Sequence, residues 1–308
     1  MDGILVVDKP IGPTSHDVVS AVRRAIRQKK VGHTGTLDPN ATGVLPLVIG
    51  QATKIARFFS GGDKGYDAVV RLGVTTTTLD AVGDVVEEKP VTVTEEQVRE
   101  AVESFQGEIE QLPPMYSAKK VDGKRLYELA RKGVEVEREP KKVRIDKIEV
   151  LSYEAPDIHL VVHCSSGTYV RVIAEDIGAK LGCGGHLLSL RRTFVGPFDL
   201  EQCVALDALE DDPSLAGAQL VNMADALSHL PTVSLPKDLA KMVSSGYQLT
   251  VGDLHALDLP EFSKGELVTL LHDDGHLLAV ANAEVGEGDL GAFRRDQRAI
   301  KTERVFPR

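Results

Sequence analysis

No stretch of this chain is apolar for the roughly 18 residues that a membrane-spanning helix needs, so no membrane association is expected. The first apolar run, Ile4 to Val7, is only four residues long. It reads as a buried strand, not as the core of a signal peptide. Cysteine is also scarce. Cys164, Cys183 and Cys203 are an odd set without a Cys-x-x-Cys pair, which argues against a disulfide framework or a zinc site and for a reducing cytoplasm. No internal repeat or low-complexity tract breaks the 308 residues, a length that suits two domains. Hydrophobic and charged fractions of 42% and 27% are those of a globular protein.

Basic charge is missing from one long stretch and concentrated in others. Between Arg192 and Lys237 stand seven acids and no Lys or Arg. Residues 1–60 hold eight Lys/Arg against four Asp/Glu, residues 119–149 eleven against seven, and the tail from Arg294 six against two. The net charge of −10 would by itself disfavour a nucleic-acid partner. Segregation of this kind nevertheless allows a basic face on an acidic protein, and local potential governs phosphate binding.

One further absence is chemical. Residues 32–43, Gly-His-Thr-Gly-Thr-Leu-Asp-Pro-Asn-Ala-Thr-Gly, have the length of a phosphate-binding loop, but no Gly-Lys-Ser/Thr follows. The lysine and hydroxyl that a nucleotide and its magnesium require are missing. What remains is a loop of glycines, small hydroxyl residues and a proline that presents one carboxylate, Asp38. An isolated Asp-Pro is ordinarily just a turn, so its meaning depends on the rest of the chain.

Thr14-x-x-Asp17 and Thr94-x-x-Gln97 predict capped amphipathic helices, the first through Val18, Val19, Val22, Ala25 and Ile26, the second through Val98, Ala101, Val102 and Phe105. Strands are predicted from Tyr66 to Leu72, over 143–152, over 158–164 and over 186–195. A helix is expected after Gly167-Thr168, closed by Gly182. Residues 111–142, with adjacent prolines and a short helix ending at Gly133, read as a basic excursion from the core. The acidic stretch 207–231 reads as a helix plus linker, and the chain beyond Pro231 as a small β-rich domain. His272 and His276 flank Asp-Asp-Gly between two apolar runs, which predicts a hairpin turn before a metal site. His159 and His163 share a strand face and lack a third ligand, so packing is the expected role.

Four segments acquire meaning together: the Asp38 loop; Lys64-Gly-Tyr66-Asp-Ala-Val-Val-Arg-Leu-Gly73; Gln111-Leu-Pro-Pro-Met-Tyr-Ser-Ala-Lys-Lys120; and Cys164-Ser-Ser-Gly-Thr-Tyr169-Val-Arg171 followed by Leu187-Leu-Ser-Leu190-Arg-Arg192. In this order and spacing they closely resemble the TruB family of bacterial tRNA pseudouridine synthases, over roughly residues 2–230. The resemblance implies an α/β (α+β) fold. A mixed, mostly antiparallel sheet flanked by helices would form a catalytic domain over 1–230, and a small PUA-like RNA-binding domain would cover 231–308. It implies isomerisation of the T-loop uridine at tRNA position 55. The uracil must leave the stack, its N1–C1′ bond must break, and C5 must bond to C1′.

The chemistry needs an acid already ionised near pH 7, and aspartate is one without assistance. Such a carboxylate can attack sugar or pyrimidine, or assist departure of the base and take a sugar proton. By resemblance Asp38 is that carboxylate, with Tyr66 stacking on the flipped base and a candidate for proton removal at C5. Arg171 would pair with Asp38 bidentately. Tyr169 and Leu190 would line the pocket, and His33 would fill the RNA stack. Lys9 would contact RNA or brace the loop, while Lys119, Lys120, Lys124 and Arg125 would lie near phosphates. No cofactor and no metal are implied, and the partner is the tRNA T-arm stem-loop, met by a cytoplasmic monomer.

One position departs from the pattern. The family usually has an aspartate where Thr77 stands, although Asp80 and Gly83 match, so altered loop hydrogen bonding is expected without loss of catalysis. Rival readings are the same chemistry on a guide-directed or ribosomal uridine, a tRNA-folding assistant with incidental catalysis, and a nucleotide-binding module.

Overall fold

The apolar run Ile4–Val7 lies within the strand Gly3–Lys9, buried at every position except Asp8. This is the behaviour of a strand covered on both faces. The computed structural model describes residues 1–306 apart from residues 60, 118, 119, 122, 131, 132 and 135, and apart from the side chains of residues 120, 121, 124, 125, 127 and 128.

Ten strands form one sheet. Its main path runs Val204–Ala205, Gly3–Lys9, Ala41–Ile49, Gly185–Val195, Lys64–Leu72, Asp157–Cys164, Lys141–Glu154, Gly107–Gln111. Two pairings are parallel, Gly3–Lys9 with Val204–Ala205 and Gly185–Val195 with Ala41–Ile49; the others are antiparallel. The sheet is therefore mixed and mostly antiparallel, as the sequence implied.

Both capping boxes form. The Thr14 hydroxyl accepts from Asp17 N–H while the Asp17 carboxylate accepts from Thr14 N–H, and Thr94 and Gln97 repeat the exchange. Each such cap stabilises its helix by about 1 kcal/mol. Helix Ser15–Ala25 buries Val18, Val19 and Val22 beside Leu5, Leu45 and Leu47. Helices Glu95–Glu103 and Val170–Lys180 cover the other half of the sheet through Val98, Val102, Ile173 and Ile177. The second of these ends at Gly182, whose φ of +77° is the left-handed conformation that closes a helix.

Strand Ala41–Ile49 was not anticipated. It contains Pro46, which ordinarily argues against an interior strand. The proline is tolerated because its carbonyl accepts from Thr34 N–H, on the side away from the neighbouring strand Gly3–Lys9. Its missing N–H would face that same side, where neither Leu190–Arg192 nor Val31–His33 pairs with it.

The stretch 207–231 corrects a second expectation. It holds three short helices, Leu206–Asp211, Leu215–Ala218 and Met223–Ala226. Leu209, Ala216, Ala226 and Leu227 are buried in the core, so this is a packed strap and not a linker. A second sheet of five strands follows, in the order Thr232–Ser234, Leu267–Leu271, Leu277–Ala283, Arg298–Val305, Leu249–Thr250. It has its own core, but Leu277, Val280 and Phe306 share another cluster with Ile4, Val6, Phe59 and Phe198. The two parts are thus joined through apolar contact. The expected hairpin is present, with Gly275 at φ +84° and His272 N–H donating to the His276 carbonyl at 2.9 Å.

Candidate active site

The loop carrying Asp38 is short of regular structure and rich in ties. From strand Gly3–Lys9, the ammonium of Lys9 donates to the carbonyls of Pro10, Pro39 and Ala41 at 2.9, 3.2 and 2.6 Å. From helix Ser15–Ala25, the Ser15 hydroxyl donates to the Leu37 carbonyl and accepts from Leu37 N–H, both at 2.8 Å. Gly12 N–H donates to the Pro39 carbonyl at 2.8 Å. From strand Gly185–Val195, the Arg192 guanidinium donates to the carbonyls of Gly35, Thr36 and Val44. A loop tied in this way from three elements holds its carboxylate in one place, which is what a preorganised site requires.

Lys9 corrects one expectation. It is 0% exposed, so of its two anticipated roles the contact with RNA is ruled out by burial, and the bracing of the loop is what the geometry gives. Burial pulls its pKa down to about 8, against the opposing charge of Asp38.

Arg171 enters at the first turn of helix Val170–Lys180. Its Nη2 donates to Asp38 Oδ2 at 2.7 Å. The expected bidentate pair with Asp38 does not form, because the other arm, Nη1, faces Asp80 Oδ2 at 3.7 Å. Asp80 is aimed by its own loop: Thr78 Oγ1 and Val82 N–H donate to its Oδ1 at 2.6 and 3.1 Å, which leaves Oδ2 for the arginine. The side chains of Arg171 and Asp80 are each 9% exposed, whereas that of Asp38 is 43% exposed. One cation therefore faces two acids, and only the acid of the loop is open to a ligand.

Tyr66 lies on strand Lys64–Leu72, opposite Arg192 in the register and buried. Burial pushes its hydroxyl up to about 12, partly opposed by Arg192, so it is a neutral phenol near pH 7. Leu190, opposite Ala41 and Ala68, is half-buried and packs on the cores of both halves of the sheet. Tyr169 is half-buried at the start of the Arg171 helix. His33 ends strand Val31–His33, with its Nδ1 buried and without a hydrogen-bond partner among the described residues. Its pKa is lowered, first by burial and then by Arg192.

Lys119 lies outside the described residues. Lys120 begins a two-residue strand paired with Lys124–Arg125. His163 packs edge-on against Phe194 with ring centroids 5.0 Å apart. Thr77 uses its hydroxyl to accept from Asp84 N–H at 3.1 Å, a bond that a carboxylate at this position would also accept.

Two participants were not singled out in the sequence. Gln111 is buried, and its side-chain amide clasps Tyr169 from both sides: Oε1 accepts from Tyr169 N–H at 2.9 Å and Nε2 donates to the Tyr169 carbonyl at 3.2 Å. Arg192 is 1% exposed. Both stand inside the motif segments quoted above, and their neighbours Glu110, Arg191 and Thr193 are themselves polar, so neither carried a signal of burial in the sequence. Among the described residues, no helix is long and apolar enough to cross a membrane.

Comparison with known proteins agrees with this geometry. Residues 23–170 match the model of the TruB family pseudouridylate synthase N-terminal domain, and residues 171–228 match that of the tRNA pseudouridylate synthase B C-terminal domain. The chain is 47% identical over 287 residues to tRNA pseudouridine synthase B of Burkholderia mallei, covering 93% of this chain and 94% of that one. It is 49% identical over 247 residues to the protein of the same name from Aromatoleum aromaticum, covering 80% of each. Among solved structures, a Cbf5-Nop10-Gar1 complex contains a chain that superposes with a TM-score of 0.78 at 29% identity, covering 99% of this chain and 85% of that one. With both matched domains in sequence order and near-complete coverage, the chain belongs to the TruB family of pseudouridylate synthases.

Proposed function

We propose that this enzyme converts the T-loop uridine at position 55 of tRNA into pseudouridine, with Asp38 as the reacting carboxylate. The observation that carries the reading is a half-exposed Asp38 carboxylate held at 2.7 Å by a buried Arg171. The names of the relatives supply tRNA as the substrate class. The reaction is an isomerisation: the N1–C1′ bond breaks, C5 bonds to C1′, the proton on C5 leaves and N1 gains one. Nothing is oxidised, and no group is lost to solvent. The chain needs to supply an anion, a place for the turned ring and exclusion of water.

Asp38 supplies the anion. Arg171 aims it, because a charge-assisted hydrogen bond from a planar guanidinium fixes the direction of the carboxylate. Tyr66 supplies a face for the extruded uracil, a contact worth roughly 1–3 kcal/mol per base. Tyr169 and Leu190 narrow the pocket, and His33 fills the vacancy left in the RNA stack. The segment around Lys119 and Lys120 meets phosphates of the T-arm. The catalytic domain spans 1–230, and residues 231–308 act as a PUA-like RNA-binding domain, a reading supported by the five-stranded sheet and the basic tail. The enzyme works as a cytoplasmic monomer.

The test is Asp38→Asn with an isolated T-arm stem-loop, followed by pseudouridine mapping. Loss of product with stem-loop affinity retained is expected. Product at unchanged rate would overturn the assignment of Asp38. Product from the native enzyme at a uridine outside the T-loop would instead move the substrate to another RNA.

A further inference from the structure

Arg192 is among the largest fully buried side chains of the molecule, and among the described residues no carboxylate pairs with it. Removing a guanidinium from water without a counter-ion is costly, so its contacts need an account. Nε donates to the Val44 carbonyl at 2.7 Å, Nη1 to Thr36 and Nη2 to Gly35, both at 3.3 Å. Tyr66 stands opposite Arg192 on the neighbouring strand, and its hydroxyl feels the guanidinium charge.

The backbone around Arg192 is equally fixed. It sits opposite Gly43 on one side and Tyr66 on the other. Gly43 has a φ of +100°, and a Cβ there would come within 2.2 Å of the Arg192 carbonyl oxygen. The glycine thus permits a close approach that no other residue allows.

We propose that Arg192 is a positioning residue that couples the Asp38 loop to Tyr66, so that the carboxylate and the phenol meet the uracil in one fixed relation. Five donors in a planar fork reach three carbonyls at once from a position beside Tyr66, whereas an ammonium presents its donors from a single point. Lys9 and Ser15 hold the same loop from strand Gly3–Lys9 and helix Ser15–Ala25, and among the described residues neither element pairs with the strand of Tyr66. Arg192 alone among these braces comes from a strand position paired with Tyr66. A guanidinium beside the phenol also stabilises negative charge that develops there as a proton moves.

This rests on the reading that Asp38 and Tyr66 face the uracil, and Asp38→Asn serves as the control. Arg192→Gln is expected to slow single-turnover pseudouridine formation by about 100-fold, the scale of a misplacement near 1 Å. Affinity for the same T-arm stem-loop should stay within about threefold, less than 1 kcal/mol. Arg192→Lys should recover less than about tenfold of the loss, since it restores charge but not the fork. A purely structural role leaves Tyr66 untouched, so its ring Cζ resonance, assigned by difference from Tyr66→Phe, is expected to shift in Arg192→Gln.

A rate within about threefold of native, or loss of affinity in step with rate, or an unmoved Tyr66 resonance, would overturn the proposal. If Arg192→Gln does not fold, the reciprocal measurement decides: Tyr66→Phe must displace the Arg192 guanidinium resonances of the folded enzyme, and their constancy would overturn it. An inactive Asp38→Asn beside a fully active Arg192→Gln refutes this inference alone, whereas an active Asp38→Asn refutes the reading beneath it.

Discussion

The guanidinium of Arg171 donates to Asp38 at 2.7 Å while its second arm faces Asp80 at 3.7 Å. Sharing one cation between two acids has a consequence for Asp38. Its hold is firm enough to aim the carboxylate yet incomplete, because part of the positive charge is committed to Asp80. Arg171→Lys is expected to keep the fold and RNA affinity but to lower single-turnover rate by about 100-fold, since one ammonium cannot face both acids in the original geometry. Arg171→Ala should also lower stability, by about 3–5 kcal/mol, because the buried Asp80 then lacks its counter-ion. Rate measurements together with chemical denaturation separate the two effects.

Lys9 predicts a pH limit. Burial lowers its pKa from 10.5 to about 8, so the ammonium loses its proton as pH rises through that value. A neutral amine has two N–H donors, and one of the three carbonyls it holds is then left without a donor. Single-turnover rate should therefore fall with an alkaline midpoint near 8. Stability runs the other way. For this group the cost of burying charge is fully present below about pH 8 and is relieved between 8 and 10.5, where the unfolded chain binds more protons than the folded one. Lys9→Met should be slow at every pH and lack that limb. An identical alkaline limb in the variant would assign it to another group.

Gln111 carries the third prediction. Its amide satisfies both backbone groups of Tyr169 at the entry to the Arg171 helix. Gln111→Leu leaves Tyr169 N–H unpaired, at a cost of about 1–3 kcal/mol if it stays dry, while the Tyr169 carbonyl keeps its bonds from Val172 and Ile173 N–H. Lower thermal stability is expected together with a reduced rate, because Arg171 follows Tyr169 by only two residues. Gln111→Glu keeps the acceptor for Tyr169 N–H and should recover part of the stability.

Much of the sheet was legible because its strands carry their own signals: an unbroken apolar run at Ile4–Val7, alternation over Asp157–Cys164, and a glycine stop after Leu72. Asp38, Tyr66 and Arg171 were legible only by resemblance, as the register that brings them to one place involves segments more than 100 residues apart. Strand Ala41–Ile49 was missed because Pro46 speaks against it, and only the gap beside its missing N–H makes it admissible. The division of Arg171 between two acids was hidden for another reason. Asp80 is aimed by contacts of Thr78 and Val82 that depend on the folded loop and not on spacing. Arg192 had no role of its own in the sequence, where it stands beside Arg191. Arg191 does pair with Asp8 at the half-exposed surface, while its neighbour on the alternate face of the strand points inward to the loop.

The basic insertion gives the last prediction, and it concerns binding and not chemistry. If Lys119 and Lys120 meet phosphates of the T-arm, each contact releases counterions, and the logarithm of affinity falls with the logarithm of salt in proportion to the number of contacts. The acidic net charge of −10 makes this informative, because bulk attraction cannot supply the effect and only local charge can. Replacing both lysines by alanine should weaken stem-loop binding at low salt and flatten the slope by about 1.4, at about 0.7 per phosphate on a single strand. Once the stem-loop is saturating, single-turnover rate should remain near native, because neither residue takes part in the bond exchange. Titrations at several salt concentrations check the slope. An unchanged slope, or a rate defect that saturating RNA does not repair, would remove these lysines from the phosphate surface.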